Sequence, residues 1–346
     1  MPGSRRGSVF AYRAELDSWL NCATPPAAVS AVKAGDCSAL PGAADLWECH
    51  CDENIFRIIA LCQKTIIEDP CDADTYGMMA SAYIWAAYAD LLPASFAFVR
   101  AERAIRKALE INSSQNHALC AEAWLILCNS EDRERAEAQF RKCAAALPYQ
   151  ASCLIGLATI CVAKGNLDEA RDVVMRAATA KPLSASISYA INRLYYYMKE
   201  FDRVIAEGTI AVKIGHDSAN LQGIIGLSYV ALGREEEAVD ILREAENRYP
   251  ACMLVKGALG YAFAISGYPL EAEAYLNRVV AERSQAKGVS AYSAALICAG
   301  LKEWERVLHW LAQDKEDLTI WSLTMELDNA FSGSTAESVG NTGRRS

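Results

Sequence analysis

At 346 residues, with 34 Lys and Arg against 43 Asp and Glu, the chain exceeds one ordinary domain and carries a net charge of -9 with an isoelectric point near 5.2. That balance excludes a broad nucleic-acid-binding surface, which needs clustered cations to displace counterions. No apolar segment follows Arg5, Arg6 and Arg13, so the first twenty residues do not form a secretory signal.

Ser8–Tyr12 is expected to form a short strand, and Arg13–Leu20 a short helix with Leu16, Trp19 and Leu20 inward. The run from Val9 to Leu20 resembles the last strand and helix of excisionase-like helix-turn-helix domains. The helix-turn-helix itself would lie upstream of Met1. In an intact domain the resemblance implies that Arg5, Arg6, Tyr12 and Arg13 contact DNA. Alone, a strand and two helical turns are too little to bury a core. Residues 1–20 are thus read as a remnant, and residues 21–54, with Pro25, Pro26, Gly35, Pro41 and Gly42, as a flexible linker.

A helix follows over 52–67, with Phe56, Ile59, Leu61, Cys62 and Ile66 apolar and Pro70 beyond its end, suited to capping a stack of repeats. The apolar window Tyr76–Val99 is interrupted by Asp90 and Pro93 and seeded with small residues, which favours close helix packing over a membrane span. It opens an enlarged first repeat: Tyr76, Met79, Ala80 and Tyr83 on one helix, Ala101, Ile105 and Ala108 on the next, and about nine extra residues between them. Trp124, Ala136, Phe140, Cys143 and Pro148 mark the following copy.

From Pro148 onward, similar residues return every 34 positions: Pro148, Pro182, His216 and Pro250, with Ala170, Val204, Ala238 and Ala272 in step. The clearest copy contains Ile225, Gly226, Tyr229, Gly233, Ala238, Leu242, Ala245 and Pro250. A fixed period of this length means stacked supersecondary units. Gly226 and Ala238 are small where two helices must approach, and Leu242 is large where they interlock. Gly233 suits the turn after the first helix, and Pro250 ends the second. Tyr229 is expected in the core, so truncating it should cost about 3–5 kcal/mol.

These residues resemble the tetratricopeptide repeat (TPR), whose x-x-x-L-G-x-x-Y…A-x-x-x-F…P frame is matched except at its leading Trp. The resemblance implies an all-α, right-handed superhelix of about seven helical hairpins over residues 55–331. The enlarged first repeat and the tract Ala104–Asn112 resemble the TPR regions of bacterial winged-helix and adenylate-cyclase-type signalling proteins. A divergent last copy is expected over 289–311, then a capping helix from Leu318 to Phe331 with Ile320, Trp321, Leu323, Met325 and Leu327 apolar, then a disordered tail over 332–346.

No phosphate-binding loop, dinucleotide fingerprint or H-E-x-x-H pair occurs, and the four His are scattered, so no catalytic residue is assigned and no cofactor is expected. The 13 Cys contain no C-x-x-C pair and are read as small hydrophobes in a reducing, cytoplasmic setting. Cys49-His50-Cys51 is a poor metal site because adjacent residues rarely all face one ion.

In the TPR frame the inward positions fall on Tyr189, Arg193, Tyr196 and Tyr197 in one repeat, with Asn220 and Tyr261 in its neighbours and Trp124 in a looser register. These form the expected peptide groove. The hydroxyls of Tyr196 and Tyr197 need water or a partner wherever they lie. An aromatic groove with one guanidinium suits an apolar or helical segment. The expected function is a scaffold that binds a protein or peptide partner in bacterial signalling or transcriptional regulation, without contact to a membrane. The rival is a transcriptional regulator that binds DNA through a domain cut off upstream.

Overall fold

The computed structural model describes residues 52–88, 92–129, 132–146, 150–180, 184–285, 291–316, 324 and 327–332. Among these residues every regular element is helical. The expectations placed on residues 1–51, including Arg5, Arg6, Tyr12, Arg13 and the Cys49-His50-Cys51 cluster, lie outside them.

In order the helices are α1 (Asp52–Glu68), α2 (Ala73–Tyr88), α3 (Ala94–Ile111), α4 (Asn116–Asn129), α5 (Arg133–Ala146), α6 (Ala151–Ala163), α7 (Leu167–Ala180), α8 (Ala185–Tyr197), α9 (Phe201–Lys213), α10 (Ala219–Ala231), α11 (Glu235–Arg248), α12 (Met253–Ile265), α13 (Pro269–Gln285), α14 (Tyr292–Gly300) and α15 (Trp304–Glu316). Helix α1 lays Ile55, Ile58, Ile59, Cys62 and Ile66 in one buried stripe against α2. The remaining helices pair as seven hairpins, from α2/α3 to α14/α15, in a right-handed solenoid. The enlarged first repeat is absorbed by an 18-residue α3 that starts after Pro93, with Leu92 buried just before it and Phe98 buried within it.

The period is written into the backbone. Gly165, Gly233 and Gly267 adopt φ of 77°, 70° and 82° at the end of first helices, and Lys199 takes the same place in register at 59°. At each of these turns the chain folds back on its own last turn: Gly233 N–H donates to Val230 O, and Arg234 N–H to Tyr229 O, both at 3.0 Å. The left-handed conformation is what lets the second helix turn back along the first.

Small residues then set how closely helices approach. A Cβ on Gly226 would stand 2.4 Å from Leu242 Cγ, so α10 and α11 touch through that position. A Cβ on Gly257 would stand 2.7 Å from Ser293 Cα, so α12 and α14 meet at backbone distance. Successive first helices, α2, α4, α6 and on to α14, pack on one another along the whole stack, and this line of helices forms the inner face. Across the second helices, ion pairs join neighbouring hairpins, among them Arg141–Glu169 at 2.5 Å and Arg278–Glu246 at 2.6 Å. With an exposed arginine in each, these pairs add at most about 1 kcal/mol apiece.

Three expectations change. Tyr229 is only half-buried, its ring lying under the Arg234 guanidinium at 4.6 Å at the edge of the hairpin. The second helix of the last copy, expected from Trp304, Val307, Leu308 and Leu311, buries Val307 but leaves Leu308 51% exposed. The capping helix expected to run to Phe331 does not do so: Asp328 is extended, and Asn329–Phe331 close in a 3-10 turn capped by the Asp328 side chain. Between α2 and α3 the apolar window is broken, and no helix among the described residues is long and apolar enough to cross a membrane.

Candidate peptide-binding face

Tyr196 and Tyr197 end α8, and both rings are turned into the molecule, each 5% exposed. They sit edge to face at 5.7 Å, Phe201 of α9 supports Tyr196 at the same distance, and the Arg193 guanidinium lies 5.6 Å from the Tyr197 ring centre. Adjacent aromatic residues at a helix end splay in different directions, which lets one support the other while both hydroxyls reach the inner side.

Both hydroxyls are satisfied by the C-terminal segment of the same chain. Tyr196 Oη donates to Asp328 Oδ1 at 2.8 Å, and Tyr197 Oη shares a 2.6 Å hydrogen bond with Thr324 Oγ1. The second carboxylate oxygen of Asp328 accepts from Tyr292 Oη on α14. The Ala330 amide donates back to Asp328 Oδ1 at 3.0 Å, and the Phe331 ring meets Tyr292 edge-on at 5.6 Å. One short stretch of polypeptide thus runs from α8 to α14, two first helices three hairpins apart.

The electrostatics follow from burial. Loss of water pushes the Asp328 carboxyl above its ordinary value, while hydrogen bonds from Tyr292, the Ala330 amide and Tyr196 pull the other way. Burial, and then the Asp328 charge, raise Tyr196 and Tyr292 well above the usual phenol range, so both remain donors. Tyr261 on α12 is pushed up to about 12 by burial and then by the charge of the same carboxylate.

The other expected groove residues are largely buried. Tyr189, Arg193 and Asn220 are each 5% exposed. Asn220 Oδ1 on α10 is buried with no hydrogen-bond partner among the described residues. Arg193, with Ile155, Thr159 and Tyr197, lines a cavity of about 20 Å³ between α6 and α8, room for one water molecule. Trp124 is committed to a joint between hairpins: its ring meets Phe140 at 5.3 Å and its Nε1 donates to Ser152 O at 3.3 Å.

Thr324, Asp328, Phe331 and Tyr292 were absent from the expected set. The one sequence signal pointing to them was the demand of two inward tyrosine hydroxyls for partners. Elsewhere, an open cleft of about 710 Å³ between α11 and α12 is lined by Glu235, Glu236, Asp240, Arg243, Phe263 and Tyr268. Its first two carboxylates lie in the first turn of α11, where they complement the helix dipole. His117, His216 and His309 pair locally with Gln150, Ser188 and Gln313 and do not converge. Burial pushes the thiols of Cys62 and Cys128 up to about 12, which leaves them unreactive near neutrality.

Residues 219–252 match the model of the tetratricopeptide repeat, beginning at the first residue of α10. No curated protein matches the chain in sequence. Among solved structures, the APC/C hetero-tetramer Cut9–Hcn1 superposes with a TM-score of 0.58 at 13% identity, covering 82% of this chain and 54% of that one. The human IFIT1 dimer with PPP-AAAA superposes with a TM-score of 0.56 at 14% identity, covering 84% of this chain and 68% of that one. The chain therefore spans about half the length of the first of these, and at such identities the shared property is the fold, a TPR solenoid.

Proposed function

We propose that the chain is a protein-binding scaffold whose inner face, from α8 to α14, accepts a segment of another polypeptide. The observation that carries this reading is that the face already holds polypeptide: Tyr196 and Tyr292 grip the Asp328 carboxylate, and Tyr197 engages Thr324. A surface that satisfies a peptide's side chains, with an aromatic for its apolar residue, is built for chain rather than for a small reacting molecule. The scaffold role also agrees with a stack of repeats whose buried polar groups are spent on packing rather than gathered around a reacting centre.

The setting is proposed to be cytoplasmic signalling or transcriptional regulation in bacteria. Support for it comes from the enlarged first repeat and the tract Ala104–Asn112, which are similar to the TPR regions of bacterial regulators.

The test is affinity capture with the full chain, Arg193→Glu and Tyr196→Ala. Partners specific to the parent and lost from both variants support the inner face as the binding surface. Partners retained equally by all three move binding to another surface.

A further inference from the structure

The partner's chemistry can be read from what now occupies the face. The described part of the C-terminal segment is short, and its 3-10 turn packs on α14. Its anchors are Thr324 on Tyr197, Asp328 between Tyr196 and Tyr292, and Phe331 against the Tyr292 ring. Asp328 is 3% exposed and Phe331 4%, whereas Ser332 just beyond is exposed. A segment that adds no hairpin to the stack can leave it by local opening, without unstacking the repeats. Gripping it carries a built-in penalty, because a carboxylate must leave water before two phenols can bind it.

We infer that the inner face recognises partner segments carrying a carboxylate three residues before an aromatic side chain, the pattern of Asp328 and Phe331, and that such a partner enters by displacing the chain's own segment. The inference rests on the proposed scaffold function and gives it a ligand class. The face offers two phenol donors at a separation matched to one carboxylate, with the ring of Tyr292 serving both anchors. A tyrosine pair discriminates here, since a segment lacking the acid would remove the acceptor that both buried hydroxyls share. The tethered segment is present in every molecule, so it lowers the apparent affinity for any competitor by the fraction of chains that are open. The partner affinity is thereby set by the chain itself.

The experiment uses a labelled synthetic peptide with the sequence of residues 322–333, titrated into the full-length parent and the full-length Asp328→Ala variant. The variant removes the tethered anchor and leaves both tyrosines in place. The peptide is expected to bind the variant at least about tenfold more tightly than the parent, the gain from a larger open fraction. The same peptide with Ala in place of its Asp, and the intact peptide added to a Tyr196→Phe, Tyr292→Phe double variant carrying Asp328→Ala, should each lose at least about tenfold in affinity. Circular dichroism melting reports whether each variant remains folded, so that a lost site is told apart from an unfolded chain.

Equal peptide binding by parent and Asp328→Ala would overturn the inference, as would indifference to the peptide's Asp. So would a concentration-dependent dimer of the parent that Asp328→Ala abolishes, because the occupant would then be the segment of a second copy. If captured partners depend on Tyr196 but are not displaced by the peptide, the ligand class fails while the scaffold reading stands. If neither Arg193→Glu nor Tyr196→Ala changes any partner, binding lies on another surface and the inner-face reading itself fails.

Discussion

Tyr196 and Tyr292, on first helices three hairpins apart, donate to opposite oxygens of a single carboxylate, that of Asp328. The curvature of the stack brings the two phenols together, and the C-terminal segment joins them. Because Asp328 is buried, the joint tightens or loosens with small chemical changes.

Tyr196→Phe and Tyr292→Phe each delete one hydrogen bond to a charged group without altering the ring. Each is expected to weaken docking of the segment by about 1.5–3 kcal/mol. The Ala330 amide, which donates to Asp328 Oδ1, is the natural reporter: its hydrogen exchange should speed up in both variants while the amides of α10 and α12 stay protected. Unchanged exchange at Ala330 would mean that the segment is held by other contacts.

Docking should also depend on pH, with a defined sign. The folded-state pKa of Asp328 is raised above the ordinary 3.8, so the docked state favours the protonated acid. The contribution is complete below that ordinary value and is lost as pH rises through the raised one. The groups facing the carboxyl are Tyr196, Tyr261 and Tyr292, all of which stay neutral over this range. Asp328→Asn imitates the neutral acid, and hydroxyl rotation lets both phenols pair with an amide. Proteolysis of the segment in the parent should therefore accelerate, relative to Asp328→Asn, as pH rises above the ordinary carboxylate range. Parallel profiles for the two chains would contradict this.

Gly226→Ala places a methyl group 2.4 Å from Leu242 Cγ, and Leu242 is fully buried. The expected cost is about 1–3 kcal/mol, the range for overpacking a filled core. Pairing it with Leu242→Val should recover part of the loss, because the two positions share one contact. Denaturant unfolding of the single and double variants measures the coupling, and strict additivity would show that the hairpin relaxes elsewhere.

Lys199 holds φ of 59° at a turn where three other repeats place glycine. Lys199→Gly relieves that strain, at some cost in unfolded-chain entropy, and is expected to stabilise by about 0.5–1 kcal/mol. A rise in the denaturation midpoint checks it.

Tyr229→Ala should cost about 1–2 kcal/mol, below the range for a fully buried ring, because its ring is half-buried and covered on one face by Arg234. A loss above about 3 kcal/mol in equilibrium unfolding would restore Tyr229 to the core.

The amino-acid sequence by itself determined the hairpins. A return of small, large and turn-forming residues every 34 positions specifies local geometry, and Gly226 against Leu242 and the left-handed turn at Gly233 follow from it. It also named Tyr196 and Tyr197 as inward side chains with hydroxyls to satisfy. Only the tertiary structure decided what satisfies them. Asp328 lies 132 residues from Tyr196 and 36 from Tyr292, and neither separation is a multiple of the repeat. Repeat signals encode contacts between neighbours. The meeting of α8 with the chain's far end depends on curvature summed over every intervening hairpin, and no single repeat carries that sum.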